Sequence, residues 1–184
     1  MERPLAEEEK QFLLRLARQT LEAQLEGEPL PSATPSPGPL TEARGAFVTL
    51  TRSGELRGCI GHVVGVAPLW RSVRENVLNA ALRDPRFPPV EASELPSLHI
   101  EISALTPLRE VATPDEVIVG RHGVMIENGP FRGLLLPQVA TEYGWDRATF
   151  LDHTCRKAGL QAGCWRRPDT RIHVFSAEIF SEQQ

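Results

Sequence analysis

A cysteine stands between two glycines in the stretch Gly54-Glu55-Leu56-Arg57-Gly58-Cys59-Ile60-Gly61-His62, with an arginine two residues before it and a histidine three after. The thiolate form of a cysteine attacks electrophilic centres, and a cation beside it favours that form. Arg57 is placed for this role, or for holding an anionic substrate group. Glycines at 58 and 61 carry no Cβ and let a substrate or another backbone come close to the sulfur. A nucleophile of this kind needs a base, and His62, His99, His153 and Glu101 are the candidates by type. His62 is nearest in the chain, but an uninterrupted strand would send it to the face opposite Cys59. The plain structural alternative is a cysteine packed in a sheet, with glycines that mark a bulge or a tight contact.

Cys59, His62, His153 and Cys155 are also of zinc-binding type. Cys-x-x-His is common by chance, however, and residues 153 and 155 on one helix point roughly 200° apart, so no metal site is expected. Trp165-Arg166-Arg167 with Arg171 forms a short basic cluster read as surface. Gly129 to Gly133 lacks the Gly-Lys-Ser/Thr ending of a phosphate loop. No motif calls for a cofactor.

The elements that must position these groups follow from periodicity. Residues 6 to 26 read as a helix, with Phe12, Leu13, Leu16, Ala17, Thr20 and Leu21 on one stripe and Gly27 as its stop. Five prolines between 29 and 39 make residues 28–40 a connector. Gly45 to Thr51 and Leu56 to Ile60 read as a hairpin turned at Ser53-Gly54, which sets Leu56 opposite Thr51 and Cys59 opposite Val48. Arg57 and Cys59 then share one face with Val48 and Leu50, while Leu56 and Ile60 take the other. Pro68 to Arg83 reads as a second helix, ended by Asp84-Pro85. Leu98 to Ala104 alternates as a half-buried strand with His99 and Glu101 on its polar face. Val117 to Val119, Val124 to Ile126 and Leu134 to Leu136 read as a small meander. Asp146 caps a helix over 147–158 that ends at Gly159 in a Schellman turn, and a strand from Ile172 closes the chain. Helices and strands without strict βαβ alternation imply an α+β domain with a mainly antiparallel sheet.

The chain has 184 residues, a length that predicts one domain able to bury a core without staples. Three cysteines form no paired framework, which argues against disulfides and for a reducing, cytoplasmic setting. The start has no signal peptide pattern, and no apolar run is long enough to span a membrane. A net charge of −4 disfavours sequence-blind nucleic-acid binding.

Leu56-Arg57-Gly58-Cys59-Ile60-Gly61 resembles the signature of the AMMECR domain family. Phe47 to Leu50, Asp84 to Val90, Ile100 to Ser103, Gly133 to Ala140 and Cys155 to Leu160 look like that family's further blocks in the same order. The resemblance covers nearly the whole chain. It implies a larger lobe, a smaller one formed within 106–145, and a cleft between them. It implies Memo-like and radical S-adenosylmethionine proteins as partners, hence a modification pathway, but no named reaction. On the site, its signature carries over to Arg57, Gly58, Cys59 and Gly61, with Glu101 and Gln138 in matching blocks. Joined to the reading of the residues, this makes Arg57, Cys59 and Glu101 the catalytic candidates and Gly58, Gly61, His62 and Gln138 the binding candidates. Two functions are compatible with this: an enzyme or enzyme component reacting through Cys59, and a non-catalytic binding or adaptor domain using the same cleft.

Overall fold

The computed structural model describes residues 3–183. Along the chain lie α1 (Glu7–Glu26), β1 (Ala46–Arg52), β2 (Glu55–His62), α2 (Leu69–Leu82), β3 (Leu98–Leu105), β4 (Arg109–Glu110), β5 (Gly123–Asn128), β6 (Phe131–Leu135), α3 (Pro137–Glu142), α4 (Arg147–Lys157), β7 (Arg171–Phe175) and β8 (Ala177–Ser181). They form an α+β fold with two compact units, one running to Pro107 and resuming at Glu178, the other Leu108–Ala177.

The first unit holds the sheet β2-β1-β3-β8, in which β1 is antiparallel to both of its neighbours. Val48, Leu50, Ile100 and Ile102 point to one face and are fully buried with Leu13, Ala17 and Leu21 of α1 and Val73 and Val77 of α2. Their spacing is what makes each helix one-sided: burying such an apolar side chain contributes about 1.5–3 kcal/mol. Three glutamates in the first turn of α1 favour its N-terminus, and Gly27 ends the helix in the left-handed region at φ 75°.

The second unit holds the sheet β4-β7-β5-β6, with α4 packed on β5 and β6 and its Phe150 and Leu151 in one core with Val124, Ile126, Ile172 and Val174. Asp146 caps α4 by accepting from the Thr149 amide at 2.8 Å. Gly159, at φ 80°, supplies the left-handed turn in which the Leu160 amide reaches the Cys155 carbonyl and the Gly159 amide that of Arg156, both at 2.9 Å. The Schellman ending expected from the sequence is therefore present.

Four expectations need correction. Cys155 and Cys164 form a disulfide, because the Gly159 turn brings the chain back over α4. Cysteine counting missed it because the third cysteine, Cys59, is free and makes the total odd. Val117–Val119 is not a strand, since the turn Pro114–Glu116 precedes it and Val117 packs as a single buried side chain. The meander is thus a hairpin of β5 and β6, with β7 on the other side of β5. The closing strand is two, β7 and β8, which join different sheets.

His122, which precedes β5, is buried, and its Nδ1 accepts from the Ile118 amide at 3.2 Å. Burial first, then the charges of Arg121 and Arg109, hold its pKa below the usual histidine value. In the pH range below about 6.5 the unfolded chain then binds a proton that the folded chain does not, so stability falls as the pH drops. Melting temperatures of His122→Asn are expected to fall less than those of the native protein between about pH 7 and pH 5.5; equal slopes would remove His122 as the cause.

Candidate functional site

β2 is the outer strand of its sheet, and its register decides where Cys59 points. Ser53 and Gly54, at φ 53° and 80°, make the expected two-residue turn, and Leu56 lies opposite Thr51. Gly58 then pairs with Leu50, so Arg57 is an extra residue and β2 is bulged there. The bulge reverses the expected facing. Cys59 lies opposite Thr49, not Val48, and points away from the helices. Ile60 packs against the core, whereas Leu56 is 43% exposed.

Both glycines of the segment are used in packing. Gly58 faces α2, where an added Cβ would run into the Ala80 carbonyl, and Gly61 lies under the Phe47 ring. The room they create is filled by the protein itself.

The outward amide of a border strand needs a partner. At Cys59 it is supplied by side chains: the Cys59 amide donates to Asp84 Oδ2 at 2.9 Å, and Arg86 Nη2 donates to the Cys59 carbonyl at 3.3 Å. Asp84 and Arg86 are themselves joined through Nε to Oδ1 at 3.0 Å and Nη2 to Oδ2 at 2.7 Å. The Arg86 guanidinium, followed by the Cys59 and Arg86 amides, holds the Asp84 carboxyl well below the usual range, against the opposing effect of burial. Because the Cys59 amide points outward, Cys59 and Thr49 are a non-hydrogen-bonded pair, the kind in which side chains approach most closely. The Thr49 hydroxyl donates to the sulfur at 3.2 Å.

Arg57 is turned to other work. Its Nε and Nη2 donate to Glu94 at 2.9 and 3.0 Å, and Nη1 and Nη2 to the carbonyls of Pro88 and Pro89 at 2.9 and 3.4 Å. These contacts pull the Glu94 carboxyl down to about 2, through the Arg57 guanidinium first, with the Glu91 amide and Arg52 adding, against burial.

Glu101 lies opposite Thr49 on β3, so Cys59, Thr49 and Glu101 form one row across three strands on the face away from the helices. Two strand spacings put the outer Cα atoms roughly 10 Å apart. The histidines are elsewhere. His62 continues β2 without a break, opposite Ala46, and is on the other face. His99 Nε2 is 2.7 Å from the Glu182 carbonyl. His153 stacks on Trp145 at 3.9 Å in the second unit. Gln138 is exposed on α3, also in the second unit. Among the described residues, the only hydrogen-bond partner of the Cys59 sulfur is Thr49. Cys155 is disulfide-bonded and no metal-binding cluster occurs among the described residues.

The AMMECR1 family profile matches residues 14–180. The chain belongs to the AMMECR1 family. A protein of Methanothermobacter thermautotrophicus is 45% identical over 97% of this chain and 97% of its own length. Protein TK0174 of Thermococcus kodakarensis is 45% identical over 94% and 90%. The crystal structure of uncharacterized protein PH0010 from Pyrococcus horikoshii has a TM-score of 0.73 and 42% identity, covering 94% of this chain and 90% of that one. The AMMECR1 match takes in the whole row of Cys59, Thr49 and Glu101 as well as Asp84 and Arg86. Sequence reasoning missed Thr49, Asp84 and Arg86 as neighbours of the cysteine. A carboxylate and an arginine flanking Pro85 after a helix were visible; that they close a sheet border was not. Among the described residues, no helix is long and apolar enough to cross a membrane.

Proposed function

We propose that the protein is an enzyme, or an enzyme component of a modification pathway, in which Cys59 is the reacting group. The observation that supports this is the row Cys59–Thr49–Glu101. It sets a half-buried free thiol on the helix-free face of the sheet, with its outward amide and carbonyl held by Asp84 and Arg86. Thr49 orients the sulfur, and Glu101, on the far side of Thr49 in the same row, is the carboxylate that takes up the thiol proton through intervening solvent. Memo-like and radical S-adenosylmethionine proteins as partners, and a cytoplasmic setting, belong to the same proposal. A buried disulfide in that setting is the exception found in heat-adapted intracellular proteins.

A binding or adaptor role is the second reading. It is favoured by a shallow groove of about 290 Å3 beside the hairpin, lined by Arg57, Phe87, Pro88, Pro89 and Glu94 among others. Cys59→Ser separates the two. It is expected to keep its melting temperature within roughly 4 °C and to lose on the order of 100-fold of the activity that the native protein restores to a fractionated extract lacking it. Full activity in the variant would leave only the binding role, and a large loss of stability would return the cysteine to packing.

A further inference from the structure

Two arginines approach the cysteine segment, and they differ in what they have left to offer. All three nitrogens of Arg57 donate to Glu94 and the proline carbonyls, and its side chain is 12% exposed. Arg86 is held through Nε and Nη2 by Asp84, whose side chain is 2% exposed, yet Arg86 itself is 54% exposed. Its Nη1 makes no hydrogen bond to the described residues, and its Nη2 touches the carbonyl of the cysteine itself. A buried carboxylate thus fixes a guanidinium with one edge open, as a group that receives an anion must be fixed if it is to orient it.

The charges around the sulfur are unequal. Glu101 lies on the inner side beyond Thr49, and Arg86 lies on the outer side at the strand border. The Asp84 carboxylate offsets part of the Arg86 charge but is buried, while the guanidinium is 54% exposed, so an anion is repelled along the row and meets the open guanidinium edge at the border. We propose that Arg86 docks the anionic group of the substrate, a carboxylate or a phosphate, next to Cys59. This deepens the function proposed above and rests on Cys59 being the reacting group. It assigns the substrate class, an electrophile carrying a negative charge close to its reacting carbon, and it moves the anion-holding role from Arg57 to Arg86.

Alkylation reads this directly, because Cys59 is the free cysteine while the other two are bonded to each other. Iodoacetate and iodoacetamide react alike: the sulfur lone pair forms the bond to carbon, iodide leaves with the bonding pair, and the thiol proton passes to buffer. They differ in charge. At low salt the iodoacetate-to-iodoacetamide rate ratio of the folded protein is expected to exceed that of the urea-unfolded chain about three- to tenfold, and to fall to the unfolded value near 1 M salt, where the Debye length is about 3 Å. Arg86→Gln is expected to abolish the excess, Arg86→Lys to keep most of it, and Glu101→Gln to raise it. Inorganic phosphate is expected to slow iodoacetate in the native protein and not in Arg86→Gln if the site takes phosphate; a phosphate-independent excess restricts it to carboxylates. Equal slowing of both reagents by Arg86→Gln, or a native ratio no higher than that of the unfolded chain, would overturn the role of Arg86. The native ratio decides the matter even if Arg86→Gln does not fold. No alkylation of folded Cys59 by either reagent would instead overturn the function proposed above, and this assignment with it.

Discussion

Gly58→Ala is expected to cost about 3 kcal/mol of stability or more, the upper end of what overpacking does in a closely packed interior. The added methyl group would meet the Ala80 carbonyl, a backbone atom inside α2, so no side chain can rotate out of the way. Relief requires α2 or β2 to move, and both carry the core of the first unit. Gly54→Ala, in the turn of the same hairpin, provides the contrast: no atom lies within 4 Å of its added Cβ, and only the backbone at φ 80° resists. That substitution should cost about 1–2 kcal/mol. Urea denaturation of the two variants measures the difference, and a Gly58→Ala protein as stable as Gly54→Ala would show that α2 does not press on the strand.

Asp84→Asn should destabilise the protein by about 2 kcal/mol, reduced from the full value for a buried pair because Arg86 can turn to water. The amide oxygen of asparagine can still accept from the Cys59 amide, but its NH2 group faces the donors of Arg86. Acid shows the same interaction in the native protein. The folded-state pKa of Asp84 is depressed, mainly by Arg86, so its contribution is complete above the unfolded value near 3.9 and is lost as the pH falls below it. Glu94, brought down to about 2 by Arg57, adds a loss over the same acid range. The melting temperature of Asp84→Asn is expected to fall less steeply than the native one between about pH 4 and pH 2, with the Glu94 part of the slope intact. Parallel curves would mean that Asp84 is not held by Arg86 in solution. Because Asp84 also anchors the guanidinium beside Cys59, the variant should lose the preference of Cys59 for the anionic alkylating reagent.

Local chemistry made much of the fold legible. The stripes of α1, α2 and α4, the Asp146 cap, the Gly159 stop and the Ser53-Gly54 turn depend on neighbours within a few residues, and each lies where those signals put it. Both hairpins are likewise short-range. The Cys59 face was harder to read. A strand alternates, so one bulged residue at Arg57 was enough to exchange Val48 for Thr49 as the neighbour of the sulfur. Nothing in the spacing of Leu56 to Gly61 announces that bulge; the bulged Arg57 is held by Glu94 and the Pro88 carbonyl, 31 or more residues away in sequence.

The sequence by itself determined that a cysteine of this family's signature sits on a strand between glycines, with Glu101 on the polar face of another strand. Tertiary structure alone decided which groups surround it. Thr49 and Glu101 reach the row through strand pairing, Asp84 and Arg86 reach it because β2 is a border strand whose outward amide needs a partner, and Cys164 finds Cys155 because the chain folds back. Each of these is a pairing between distant segments, set by the requirement that backbone donors and buried charges be satisfied, and a linear pattern holds no record of which distant segment will satisfy them.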